Sequence, residues 1–195
     1  MASVVCVRVV WDRQEFWPLP VIRYTTTDGT GHAIKFTPVY FGPETGWPLG
    51  RKGLALAGAW GQLNRGGDTA DGLLVLDADV AVDPQMVITM MEAIGSDPQS
   101  VWTAPVRIWP VSTMKHHWVW AHWETAPSQH IDGSARWFSF NFTYLPRRLI
   151  EHCLKPGRLK TWTYPNVDAS MARAARELGI KGRVVDDCFP VHLHW

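Results

Sequence analysis

Residues Gly72–Leu76 read Gly-Leu-Leu-Val-Leu, an unbroken apolar run that stops abruptly at Asp77-Ala78-Asp79. A strand without polar alternation has to be covered on both faces, as a central strand is when helices pack on either side of its sheet. The sequence on either side of the run agrees with that placement. Val4–Val10 is a short, mostly β-branched apolar segment interrupted by Arg8, and it predicts a buried first strand. Downstream, Asp83-Pro84 supplies an N-cap followed by a proline at the first helical position. Met86, Val87, Met90, Met91 and Ile94 then form one apolar stripe, and Gly95 is the expected stop. The methionines read as core filling.

The rest of the chain continues the alternation. Val21–Thr27 and Ala33–Phe41 predict extended segments around an Asp28-Gly29 turn, and Arg51–Leu63 predicts a helix with Leu56, Trp60 and Leu63 on one face. Val101–Ile108 predicts a strand in which Pro105 marks an edge or a bulge, and Trp137–Tyr144 predicts another. Leu145-Pro146 opens a short helix to about His152. Asn166 caps a helix to Leu178 that Gly179 ends, and Val184-Val185 begins a last short strand. Arg147 and Arg148 read as surface charges. Strands alternating with helices imply an α/β fold with a mixed, largely parallel, Rossmann-like sheet flanked by helices, as one domain over residues 1–195.

Composition narrows the function classes. With 46% hydrophobic and 19% charged residues the chain is globular, and a net charge of +1 gives no reason to wrap a polyanion. No apolar run approaches the roughly 20 residues that a spanning helix needs, so no membrane span is expected. Cys6, Cys153 and Cys188 are far apart and lack metal-type spacing, which predicts reduced thiols and a cytoplasmic protein. The histidines at 116, 117, 122 and 130 lack a helical His-x-x-x-His pair for a second metal site. Many of the 12 tryptophans fall between Trp102 and Trp137, where they serve either as packing or as a platform for stacking sugar or base rings.

Two carboxylates one residue apart at the carboxyl end of a buried strand are chemically suggestive, because ligands of open α/β sheets bind at that edge. An Asp-x-Asp turn can hold a hard divalent cation that grips a diphosphate, or it can simply cap the following turn. The surrounding sequence, Leu73–Ile94, resembles the donor-binding centre of the GT-A glycosyltransferases, in which a strand enters a DxD motif and leaves through an Asp-Pro helix start. Upstream, Arg51-Lys52-Gly53-Leu54-Ala55-Leu56-Ala57 looks like that family's basic-plus-small helix bordering the nucleotide. Asn166-Val167-Asp168 followed by Met171–Gly179 resembles its acidic motif at a helix start, and Val191-His192-Leu193-His194 sits where many members place a metal-binding histidine. The chain departs from the family where Asp12–Pro20 is short and broken by proline, and where Val167 leaves Asp168 without a second acid.

The resemblance implies a metal-dependent transfer of sugar from a nucleotide-sugar donor to an acceptor hydroxyl. The acceptor is a glycan, a metabolite, a protein or a modified nucleobase. Mn²⁺ or Mg²⁺ would be held by Asp79 and Asp77 with His192 or His194, an imidazole favouring Mn²⁺. Asp77, Asp79, Arg51 and Lys52 would bind the donor, and Asp28 would stand in for an early base-contacting acid. Asp168 would be the general base, and Trp118, Trp120 and Trp123 would wall the acceptor side. Two other classes remain open: a sugar-phosphate nucleotidyltransferase, which would want a glycine-rich loop after the first strand, and a non-catalytic carbohydrate- or protein-binding module using the tryptophans.

Overall fold

The computed structural model describes residues 2–11, 19–25, 29–41, 52–63, 70–109, 117–119, 140–158 and 167–193. In chain order its strands are β1 (Val4–Trp11), β2 (Ile22–Thr25), β3 (Gly31–Ile34), β4 (Thr37–Phe41), β5 (Gly72–Asp77) and β6 (Val80–Ala81). These are followed by β7 (Val101–Thr103), β8 (Val106–Trp109), β9 (His117–Val119), β10 (Phe142–Pro146), β11 (Gly182–Val184) and β12 (Val191–Leu193). The helices are α1 (Lys52–Leu63), α2 (Pro84–Ser96), α3 (Arg147–Leu154) and α4 (Val167–Glu177).

The main sheet has the order β11-β7-β10-β5-β1-β4. Strand β10 runs against the other strands of this sheet, which all share one direction. The result is a mixed, largely parallel α/β sheet flanked by helices. Leu73, Leu74, Val75 and Leu76 of β5 are each 0% exposed, as the apolar run requires. Their side chains alternate between two cores. Leu73 and Val75 join Val7 and Val9 under α1, α3 and α4, against Leu56, Trp60, Leu149, Ile150 and Met171. Leu74 and Leu76 join Cys6, Phe142 and Tyr144 under α2 and the β2–β3 hairpin, against Val87, Met90, Met91, Ile94, Ile22 and Ile34.

Helix α2 follows its sequence signals closely. The Asp83 carboxylate accepts a 2.8 Å bond from the Met86 amide, with Pro84 at the first helical position. The helix runs through Gly95 to Ser96, one residue beyond the expected stop. Helix α4 ends as its glycine predicts: Gly179 has φ +65°, its amide bonds the Arg176 carbonyl at 3.0 Å, and the Ile180 amide bonds the Ala175 carbonyl at 2.9 Å. That pair of bonds is a Schellman closure, with Ile180 turned back into the core.

Three segments differ from expectation. Ala33–Phe41 divides between β3, in the hairpin with β2, and β4, at the edge of the main sheet. Val101–Ile108 divides at Ala104-Pro105, where proline has no N–H for a ladder. There the chain leaves the main sheet for a second one of order β6-β12-β8-β9. Strand β10 continues through Leu145-Pro146, so α3 begins only at Arg147. Arg147 is more than a surface charge: its Nε donates to the Ala70 carbonyl at 2.7 Å, and its guanidinium lies over the Trp60 ring.

Polar side chains on β7 and β10 find partners in the interior. Thr103 and Thr143, cross-strand neighbours, share a 2.8 Å hydroxyl–hydroxyl bond, and the Tyr144 hydroxyl donates to the Pro98 carbonyl at 3.0 Å. Cys6, Cys153 and Cys188 are buried and form no disulfide, and burial pushes the thiols of Cys6 and Cys188 up to about 12, which makes them poor nucleophiles. No helix among the described residues is long and apolar enough to cross a membrane.

Gly72 stands opposite Pro146 of β10, against the backbone of that strand. A Cβ there would overlap the Leu145 carbonyl oxygen and approach the Tyr144 ring to 2.6 Å, and backbone cannot yield as a flexible side chain does. Gly58, exposed in the middle of α1, has nothing within 4 Å of where its Cβ would stand. Gly72→Ala is therefore expected to lower stability by about 1–3 kcal/mol through overpacking. Gly58→Ala should raise it by about 0.4–1 kcal/mol by restricting the unfolded chain. Urea unfolding midpoints of the two variants check both signs.

Candidate functional site

Strand β5 delivers Asp77-Ala78-Asp79 to the carboxyl edge of the sheet, and its neighbours clasp the turn. The Asp77 amide donates to the Asn141 carbonyl at 3.0 Å, and the Ala78 amide donates to the Val9 carbonyl at 2.9 Å. The Ala78 carbonyl accepts a 2.9 Å bond from Nη2 of Arg8. Ala78 is thus tied through both its backbone groups to two consecutive residues of β1.

Two helices begin at the same edge. Lys52, the first residue of α1, places Nζ 2.5 Å from Oδ1 of Asp77 and 5.6 Å from the centroid of the buried Phe140 ring. The two paired side chains are only 22% and 17% exposed, so solvent screens this ion pair less than a surface one. Asp168, in the first turn of α4, is close enough for its charge to act on Asp77. Three carboxylates and the Lys52 cation therefore come together where β5, α1 and α4 meet, and Arg8 of β1 reaches the same turn from the sheet's other face.

The electrostatics are uneven. Burial raises the pKa of Asp77 above the ordinary carboxylate value; Lys52 opposes that rise, while Asp79 and Asp168 add to it. Arg8 is 3% exposed, and burial lowers its pKa while the nearby Asp79 charge opposes the shift.

Of the residues singled out in the sequence, the structure brings together Lys52, Asp77, Asp79 and Asp168. His192 is placed by its backbone: in β12 it stands opposite Val80, the residue after Asp79, and opposite Ile108 on the other side. Trp118 is likewise placed in β9, opposite Arg107. Asp28, Arg51, Trp120, Trp123 and His194 lie outside the described residues. The oxygen donors of Asp77 and Asp79 suit a hard cation. Among the described residues no three His, Cys, Asp or Glu side chains form a metal cage, so the rest of a cation's shell would come from His192 or His194, from water or from a bound phosphate. Arg8 is the residue that sequence reasoning missed. Its signal was a single cation in an otherwise apolar strand.

The direction of the Asp77 shift fixes a pH dependence. A carboxyl whose pKa is raised on folding holds its proton longer in the native state than in the unfolded chain. Its contribution to stability therefore falls as pH rises from the ordinary aspartate value through the raised one. Asp77→Asn is expected to melt at a higher temperature than the wild type at neutral pH, with the difference closing as the pH is lowered into the acid range. Thermal unfolding across a pH series reads this directly, and a less stable Asp77→Asn at neutral pH would show that the Lys52 pair outweighs burial.

No family model matches the chain, and no curated protein matches it. Among solved structures it is similar to the crystal structure of A197 from STIV, at 14% sequence identity and a TM-score of 0.48, over 99% of this chain and 82% of that one.

Proposed function

We propose that the protein is a nucleotide-sugar-dependent glycosyltransferase with a GT-A-like fold, acting through the Asp77-Ala78-Asp79 turn. One observation carries the reading: Lys52, Asp77, Asp79 and Asp168, brought by three separate elements, converge at the carboxyl edge of a largely parallel sheet. Ligands of open α/β sheets bind at that edge.

Sugar transfer sets three requirements. The donor diphosphate has to be held, the charge that develops on it has to be stabilised, and the acceptor hydroxyl has to lose a proton. Lys52 supplies a cation at the start of α1, next to the acidic turn. Asp79 and Asp77, with His192 or His194, would hold Mn²⁺ or Mg²⁺, which would supply a Lewis acid to the donor diphosphate. Asp168 stands on the neighbouring helix start, where it accepts the acceptor's proton if the transfer inverts the anomeric centre.

Calorimetric titration with nucleoside diphosphates, with and without Mn²⁺, tests the donor half. Binding is expected only with the metal, and Asp79→Ala is expected to abolish the metal dependence while the domain stays folded. Equal affinity in EDTA overturns the metal assignment. Asp168→Asn keeps shape and hydrogen bonding but removes the proton acceptor. It is expected to leave nucleotide and Mn²⁺ binding intact and to cut transfer by roughly 100-fold or more. Near-normal turnover would reassign Asp168 to capping α4.

A further inference from the structure

Arg8 is out of place by the logic of its own strand. In β1 the side chains of Val7 and Val9 enter the core beneath α1, so Cys6 and Arg8 point to the opposite layer, where Cys6 packs with Leu74, Leu76 and Phe142. An arginine in such a layer carries a desolvation cost that has to be offset by specific partners. The structure places such partners at the acidic turn: the Ala78 carbonyl at 2.9 Å and the charge of Asp79. In the register of the sheet Arg8 stands opposite Leu76, immediately before the turn.

We propose, building on the glycosyltransferase reading, that Arg8 is a positioning residue of the donor site. Its buried guanidinium fixes the Ala78 carbonyl and sets a permanent positive charge beside the Asp79 carboxylate, so that the turn is already shaped before the donor arrives. The arrangement supports this in two ways. Asp77 and Asp79 are one residue apart, and their mutual repulsion favours a splayed turn unless each carboxylate has a countercharge. Lys52 serves Asp77 from the start of α1 and Arg8 serves Asp79 from β1. Arg8 also acts on the peptide that joins the two acids, and so fixes their relative orientation as well as their charge. A binding group held in place in advance loses less entropy when the ligand arrives.

The test uses Arg8→Met, which fills similar volume with neither charge nor donor, and Arg8→Lys, which restores the charge without the planar fork. Two readouts are taken on the full-length protein: amide hydrogen exchange at Ala78, Asp79 and Val80 without ligand, and UDP and GDP affinity with Mn²⁺. Arg8→Met is expected to speed exchange at the turn by about 10-fold or more, with β1 and β5 amides still protected. It is also expected to weaken Mn²⁺-dependent binding of whichever nucleotide the wild type takes by about 10-fold or more, the scale of losses when a metal ligand's support is removed. Arg8→Lys should recover part of that affinity. Unchanged turn exchange and wild-type affinity in Arg8→Met overturn the positioning role while leaving the function intact. A faster turn with unchanged affinity makes Arg8 a structural bolt and also overturns it. If the wild type binds neither of these nor any other nucleoside diphosphate, the glycosyltransferase reading itself falls and the proposal falls with it. Should Arg8→Met fail to fold, Arg8→Gln, which keeps an amide donor but no charge, takes its place: weaker Mn²⁺-dependent binding supports the positioning role, and wild-type exchange and affinity overturn it.

Discussion

The double-sided burial of Gly72–Leu76 is the constraint on which the rest of this molecule depends. Because Leu73 and Val75 face one core while Leu74 and Leu76 face the other, a single strand ties α1, α3 and α4 to one side and α2 with the β2–β3 hairpin to the other. A rotation or slip of β5 by one residue would exchange the two sets and unsettle both layers. That rigidity reaches the chemistry directly, since Asp77 and Asp79 are the first polar groups beyond the buried run. Their position is set by packing along the strand behind them.

The amino end of β5 is secured as firmly as its carboxyl end. The Asp71 amide donates to the Ser3 carbonyl at 2.6 Å, its carboxylate accepts from the Ser3 amide at 2.8 Å, and its own carbonyl accepts from the Arg147 amide at 2.7 Å. Gly72 then lets β10 approach at a distance that no side chain would permit. With the strand held at its entry, the bonds to Arg8, Val9 and Asn141 hold the turn at its exit.

The sequence made β5 and α2 legible because their signals are local: an apolar run without alternation, and a cap followed by proline. The acidic turn was legible for the same reason, being the abrupt end of that run. What stayed hidden depends on neighbours distant in the chain. Pro105 announced an irregularity, but nothing local says that the chain changes sheets there, because the partner strands β10 and β12 lie far downstream. Ala33–Phe41 looked like one strand because extended propensity says nothing of which sheet receives each half. Arg8 was visible as an oddity in β1, yet its meaning comes from lying opposite Leu76 at the entrance to the turn, a relation between residues nearly 70 positions apart. Asp168 and Lys52 were found from their pattern at helix starts, and the fold explains why those starts matter: both open at the edge where β5 ends.

The antiparallel placement of β10 has a consequence for synthesis. Strand β5 is flanked on one side by β1, which precedes it, and on the other by β10, which leaves the ribosome some seventy residues later. Until then Gly-Leu-Leu-Val-Leu is an apolar, β-prone stretch with one edge open, the kind of segment that recruits copies of itself into stacked sheets. Asp71 stands immediately before the stretch and Asp77 immediately after it. Charges in those positions repel like copies in register, and they act as gatekeepers of the nascent chain. The carboxylate that burial makes costly in the finished fold thus protects the chain while that fold is still incomplete.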